Sequence, residues 1–338
     1  MGFEPLECIK CSKLIPHSKK RAMVEEGYWK PTAEFNGNRG FHISALYSPA
    51  PNATWEKIVA EYLASKDDDE KYKTFINITL GLPYKEKGER PDWKTLKKRT
   101  DEHLSRYHML TLPENAGYMV LCGVDVHKNN LTIVARAFGK EMISHLLYAG
   151  IIHGDTLEKD TWDALDEFLG RFFKHDSGVE LGITMTAIDS GFRTNEVYKF
   201  VSQRPRCIAV KGHSTFDKPI ISKPRKVNIN WDGQVIKDGT DLWMIGDQGK
   251  RLIYQRLVKP PGKPLAYHFA IDTPESYYQE LCNEKLVYRY NKKKFKVYEW
   301  AKLGPNHFFD CEQYLLAAGY VVGIDRIDWE AYNKQFFE

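Results

Sequence analysis

Apolar positions along this chain follow two different periods. In residues 1–115 they recur at helical spacing between polar stretches. Thr54 precedes Trp55, Ile58, Val59, Tyr62 and Leu63 on one face, which predicts a capped helix. An acidic DDDE run then leads into a second helix carrying Tyr72, Phe75, Ile76, Thr79 and Leu80, which Gly81 and Pro83 stop. From Tyr118 the period changes. Residues 118–126 form an unbroken apolar strand, the turn at Lys128–Asn130 leads into LTIVARAFG and then MISHLLYAG, and the three read as an antiparallel meander. A helix with Trp162, Leu165, Leu169 and Phe172 follows, and then the strand LGITMTAID. Next come a helix with Val197 and Val201, the strands CIAVKG and DLWMIG, and a helix over 248–257. A basic hairpin LVYRYNKKKFKVYEW and a helix over 306–323 complete the pattern, with no internal repeat and no low-complexity tract.

Three antiparallel strands, a crossover helix and a fourth strand returning beside the first is the order of a ribonuclease H-like fold. The expected class is therefore α/β, with a mixed sheet flanked by helices and a smaller, mostly helical N-terminal segment. The expected boundaries are 1–115 for that segment, 116–325 for the ribonuclease H-like domain and 326–338 for a C-terminal tail.

Three carboxylates stand where a charge is expensive. Asp125 interrupts the apolar run YMVLCGVDV, Asp189 closes ITMTAIDSG, and Asp310 opens the apolar stretch HFFDCEQYLLAAGYVVG. If the fourth strand lies beside the first, Asp125 and Asp189 become neighbours, and a last helix packed on the sheet can bring in Asp310. Carboxylates converging from separate elements suit Mg2+ or Mn2+, which prefer oxygen ligands. Two such ions about 4 Å apart serve phosphodiester cleavage. Asp125, central in the first strand, is the candidate bridge between two ions, with Asp189 and Asp310 holding one each. Asp247 is a fourth candidate, and Lys250 could neutralise a scissile phosphate. The competing reading is structural, with Asp189 capping the helix that begins near Thr194.

Composition narrows the function classes. Net charge is only +4, yet basic residues cluster at 85–99, 218–226 and 289–296, interleaved with aromatics or prolines. Lys211, Lys223, Arg225, Lys226, Lys292, Lys293 and Lys294 are the candidate contacts to a DNA backbone, unless these clusters are ordinary solvated surface. No long apolar run and no signal-peptide pattern occur, so a cytoplasmic protein without membrane contact is expected. Six scattered cysteines do not form a disulfide framework in that compartment. Cys8 and Cys11 form a Cys-x-x-Cys pair, half of a structural zinc site, and His17 and His42 match no common zinc spacing. Gly-Lys occurs at 139–140, 249–250 and 262–263 without the rest of a P-loop, which excludes ATP hydrolysis of that type by these segments.

GVDVH, AIDSGFRTNEVYKFV, VKGHS, KPIISKPRKVNINW, GDQGKRLIYQRL and FFDCEQYLLAA together resemble the nuclease half of the lambda-type phage terminase large subunit family. GFHISALYSP, WEKIVAEYLAS and KTFINITLGLPY resemble the segment that joins that family's ATPase to its nuclease. The resemblance implies a metal-dependent endonuclease that cuts concatemeric viral DNA during packaging in the host cytoplasm. It implies the triad Asp125, Asp189 and Asp310, an Asp-x-x-Lys motif at Asp247 and Lys250, and Asn306 ahead of Asp310. Its implied partners are double-stranded DNA, the small terminase subunit and the portal of the procapsid. The packaging ATPase, absent from this stretch, is expected on a separate chain or lost. Two features depart from the family. The chain opens on what resembles the second half of a four-cysteine zinc ribbon, and Phe308 and Phe309 replace a usual small pair before Asp310. A non-catalytic DNA-binding or assembly fragment, or another ribonuclease H-like enzyme such as a resolvase, would be the alternatives.

Overall fold

The computed structural model describes residues 6–336 except 9, 33, 36, 38, 67–68, 83–90, 102–106, 232 and 291–295. Two compact units emerge, residues 1–87 and 88–338. The first contains a small hairpin of β1 (Leu6–Glu7) and β2 (Leu14–Ile15), then α1 (Lys20–Glu25), α2 (Trp55–Ser65) and α3 (Asp69–Thr74). Thr54 caps α2 as expected, its hydroxyl accepting from the Lys57 amide at 3.3 Å. Ile58 and Phe75 are buried, whereas Tyr62 and Leu63 of the expected apolar face are exposed.

The second unit begins earlier than residue 116. Its first helix, α4 (Trp93–Asp101), buries Leu96 in the same core as the sheet, and Lys97 bonds Glu275 at 2.6 Å. After β3 (Thr111–Leu112) come the meander strands β4 (Met119–Val126), β5 (Asn130–Phe138) and β6 (Ser144–His153). Then follow α5 (Lys159–Leu169), β7 (Phe172–His175), β8 (Glu180–Asp189), α6 (Thr194–Ser202) and β9 (Cys207–Gly212). Phe172 is not part of α5. The helix stops at Gly170, and Phe172 opens an edge strand with its ring exposed.

The remaining elements are β10 (Arg225–Trp231), β11 (Gln234–Ile245), α7 (Gln248–Leu257), β12 (Tyr267–His268), α8 (Glu275–Leu281), β13 (Glu284–Tyr290), β14 (Lys296–Lys302), α9 (His307–Val321) and α10 (Trp329–Lys334). The main sheet has the order β10-β11-β9-β8-β4-β5-β6-β12. β4, β5 and β6 are antiparallel neighbours, while β8 lies parallel to β4 and β9 parallel to β8. This is the ribonuclease H-like arrangement expected from the element order. The β10/β11 hairpin extends it beyond that expectation.

β4 is buried along its whole length, so alternate residues serve opposite layers. Val120, Cys122 and Val124 face the core under α5 and α6, and Met119 and Leu121 face the core under α7, α8 and α9. Gly123 lies on the second face, where α9 comes closest. A Cβ there would sit 2.0 Å from the Cys311 carbonyl oxygen, so only glycine lets the helix backbone seat against the strand. That seating positions Asp310, adjacent to Cys311, on the side of β4 from which Asp125 projects two residues beyond Gly123. Gly123→Ala should cost at least the ~1–3 kcal/mol typical of overpacking, since a backbone atom rather than a flexible side chain must yield. Urea unfolding measures this, and a loss below ~0.5 kcal/mol would contradict such close seating.

Candidate metal centre

β4 and β8 pair in parallel up to Val124 opposite Ile188. The next residues of both strands, Asp125 and Asp189, therefore come side by side at the same carboxyl-terminal end, where each is still paired on its other side, Asp125 with Thr132 and Asp189 with Val210. Asp310 arrives in the first turn of α9, its amide donating to the Asn306 carbonyl at 2.9 Å. Phe308 and Phe309 do not displace that turn. Both rings are buried, Phe308 against Tyr277 and Phe309 against Tyr254, so the core absorbs the bulk and α9 begins at His307.

The Asp125 charge acts on both of the other acids. Burial raises the Asp189 carboxyl to about 6, with the Asp125 charge adding to the effect and Lys211 opposing it. Burial raises Asp310 to about 7. Lys250 pulls it down, while Asp125 and Glu284 push it up. Burial would also raise Asp125, but the imidazoles of His127 and His307 outweigh it and hold this carboxyl below its ordinary value. Asp189 does not cap α6. Its Oδ1 instead accepts from the Gly191 amide at 3.1 Å, closing a local turn.

His127 and His307 were not singled out among the site residues. His307 Nδ1 lies 3.1 Å from Asp125 Oδ2, and His127 Nε2 lies 2.9 Å from the same oxygen. Among the described residues, Asp125, His127 and His307 form the one group of three side chains whose ligand atoms converge within 4.8 Å. The motif GVDVH held a signal for His127, which stands two residues beyond Asp125 at the strand end. His307 is distant in sequence and carried none. Glu284 was missed for the same reason. It is buried and accepts Lys250 Nζ at 2.8 and 2.6 Å and Asn306 Nδ2 at 2.5 Å.

The other expected site residues spread around this centre. Lys250 pairs with Glu284 and pulls on Asp310. Asp247 accepts the Lys218 amide at 3.0 Å through Oδ1, and its buried Oδ2 finds no hydrogen-bond partner among the described residues. Asp247, Lys250 and Asp310 line a groove of about 590 Å³, walled by His213, Phe216 and Trp300. Lys211 is exposed at the end of β9, close enough to act on Asp189. Lys223, Arg225 and Lys226 are exposed on and before β10, with Lys226 bonded to Asp241 at 3.2 Å. Lys292, Lys293 and Lys294 lie outside the described residues. Cys8 and Cys11 flank the turn between β1 and β2, where the Cys8 carbonyl accepts the Ser12 amide. His17 packs edge-on to Trp55 and His42 approaches the Leu80 carbonyl, so neither joins the cysteines.

Two carboxyls raised by burial and by the Asp125 charge, with no cation bonded to Asp189 or Asp310 among the described residues, fit a divalent ion held by oxygen ligands. The two raised groups also fix a sign for pH. Folding holds their protons more tightly than the unfolded chain does. Their contribution to stability is therefore full below the ordinary carboxylate range and is lost as pH rises through about 6 and 7. An ion needs them ionised, so its stabilising effect should grow across the same window. With Mn2+ at ~100 times its Kd, about 2.7 kcal/mol of added stability is expected at pH 8 and little at pH 5. Thermal unfolding with and without the ion checks this, and equal shifts at both pH values would contradict it.

A ribonuclease H-like sheet with acids at the carboxyl ends of its first and fourth strands places the chain in a class of α/β domains. Residues 38–329 match the family described as terminase large subunit gpA, endonuclease domain. The chain belongs to that family. It is similar to the terminase large subunit of Escherichia phage lambda, at 32% identity over 292 residues, covering 82% of this chain and 43% of that protein. The terminase large subunit of Enterobacteria phage P21 is 28% identical over 292 residues, again covering 82% of this chain and 43% of that protein. The chain thus spans less than half the length of these curated relatives. Among solved structures, the large terminase nuclease from thermophilic phage G20c aligns at 10% identity with a TM-score of 0.34, covering 66% of this chain and 97% of that one. Its form with bound magnesium aligns at 11% identity and 0.35, covering 65% and 95%.

Proposed function

We propose that this chain is a metal-dependent endonuclease that cleaves double-stranded viral DNA during genome packaging. The observation that carries the reading is the convergence of Asp125, Asp189 and Asp310, from β4, β8 and α9, at one buried edge in a member of the terminase nuclease family. Asp125 would bridge two Mg2+ or Mn2+ ions, with Asp189 and Asp310 holding one each. Such ions, when bound, supply an activated water and stabilise the leaving oxygen of the phosphodiester. The groove beside Asp310 admits the strand, and exposed Lys211, Lys223, Arg225 and Lys226 hold the phosphate backbone around it. Lys292, Lys293 and Lys294 belong to the same basic set by sequence. Lys250, positioned by Glu284, tunes Asp310 and lines the groove where a scissile phosphate would lie.

We further propose that the reaction works alongside a packaging ATPase, the small terminase subunit and the portal, a reading supported by membership of the terminase nuclease family. Residues 1–115 are proposed as the connection toward the ATPase, 116–325 as the cutting domain and 326–338 as a tail. Supercoiled plasmid incubated with the full chain should be nicked or linearised in Mg2+ or Mn2+ and remain intact with a chelator. Salt-sensitive DNA binding without cleavage in either metal would reassign the chain to a non-catalytic packaging module.

A further inference from the structure

The groove beside Asp310 has two unlike sides. Asp247, Lys250 and Asp310 give it a charged floor, while Phe216, from the segment after β9, and Tyr298 and Trp300, from β14, give it an aromatic wall. Metal chemistry does not call for that wall. Its composition follows from the antiparallel register of β13 and β14, in which paired residues project to the same face and alternate pairs share it. Glu284 with Lys302, Leu286 with Trp300 and Tyr288 with Tyr298 therefore stand in one row. The row starts beside the metal centre, where Glu284 holds Lys250 and Asn306, and leads away from it. Rings used only for packing would be buried. Trp300 is half-buried edge-on to Tyr254, but Tyr298 is 39% exposed. Phe216 lies beside Tyr298 with the ring planes 20° apart and the centres 5.9 Å apart, and the Arg251 guanidinium braces Phe216 at 4.9 Å from its ring centre.

Spacing and size select the occupant. Successive residues on one face of a strand stand ~6.8 Å apart, twice the ~3.4 Å step between bases along one strand of a duplex. Bases resting on Trp300 and Tyr298 must therefore be drawn out of duplex stacking. A groove of about 590 Å³ is also within the ~300–1,000 Å³ that encloses one small ligand, too little for a duplex to enter whole. Aromatic faces beside a cation suit an unpaired strand, because every base has a π-face to stack and a phosphate to neutralise. Resting on the nuclease reading above, we propose that this groove holds the strand to be cut in single-stranded form, its bases stacked on Tyr298, Phe216 and Trp300 and its backbone toward the charged floor. The duplex opens over the groove, and the complementary strand stays outside. Tyr298 and Phe216 thus select locally unpaired DNA, and they take no part in breaking the bond.

Binding in the presence of a chelator separates this from cleavage. A duplex with a central mismatched bubble of about four bases should bind the full chain at least ~10-fold more tightly than a fully paired duplex of the same length and charge. 2-Aminopurine placed in the bubble should lose fluorescence on binding, as a base stacked on an aromatic ring does. Tyr298→Ala should weaken the bubble duplex about 5-fold or more, restore the fluorescence and leave the paired duplex within about 2-fold, whereas Tyr298→Trp should keep the preference. Preference and quenching are both read on the unaltered protein, so a variant that fails to fold does not decide the outcome. Equal affinity for the two duplexes, or equal loss of both in Tyr298→Ala, would overturn the stacking role. Plasmid cleavage accompanying either result would leave the nuclease reading standing, while a bubble preference without any cleavage in Mg2+ or Mn2+ would overturn that reading and keep the strand-binding groove.

Discussion

Asp125→Asn should lower the rate of plasmid cleavage by about 10³ or more while leaving the fold intact. The substitution keeps the shape of a residue that is 6% exposed and removes the charge around which the centre is built. A two-ion clamp contributes several kcal/mol to transition-state stabilisation, and each 1.4 kcal/mol is about tenfold in rate. Stability should change little. Neutralising Asp125 relieves its repulsion of Asp189 and Asp310 but weakens its attraction to His127 and His307, and the two effects oppose each other. Loss of cleavage with thermal stability close to that of the unaltered protein is the combined signature. Activity within tenfold of the unaltered protein would remove Asp125 from the centre of the mechanism.

The largest effect on stability is expected at Arg136→Met. Arg136 and Glu312 are fully buried, and Arg136 Nε bonds Glu312 Oε1 at 2.7 Å. The guanidinium also donates to Ser144 Oγ at 3.3 Å, the His268 carbonyl at 3.2 Å and the Tyr277 hydroxyl at 3.1 Å, and it lies 3.9 Å from the Tyr267 ring centre. The Tyr277 hydroxyl donates in turn to Glu312. This network ties α9 to β5 and α8, two residues beyond Asp310. Removing one partner of a buried pair strands the other charge and costs about 3–5 kcal/mol, a large share of the 5–15 kcal/mol that holds a typical domain. Arg136→Met combined with Glu312→Leu should recover much of that loss, because no orphaned charge remains. Urea unfolding of the single and double variants checks both statements. A single variant within ~1 kcal/mol of the parent would show that the pair is dispensable.

Element by element, the agreement follows burial. β4 and β5 are covered on both faces, so their apolar runs announce themselves, and α7 matches its expected span of 248–257. β10 was read as a basic tract because an edge strand with one solvated face carries Arg225 and Lys226 among its residues. The Asp232-Gly233 dipeptide between β10 and β11 was the available hairpin signal. β12, with two residues, and α8, with seven, are too short to show a period. α4 is amphipathic like the helices before it, so only its packing partner tells which core it serves.

The sequence by itself determined the order of the long buried strands and their helices, the fold class and the three acids placed in or against apolar segments. Those are properties of local periodicity and of the cost of burying charge, and both can be read one segment at a time. Only the tertiary structure decided the surroundings of those acids. His127 and His307 meet at Asp125, Glu284 claims Lys250, and Gly123 lets α9 approach β4 because parallel pairing and helix docking join residues far apart in the chain, 182 positions for Asp125 and His307. Such neighbours leave no periodic trace in the chain, since each is set by where two separately readable elements cross.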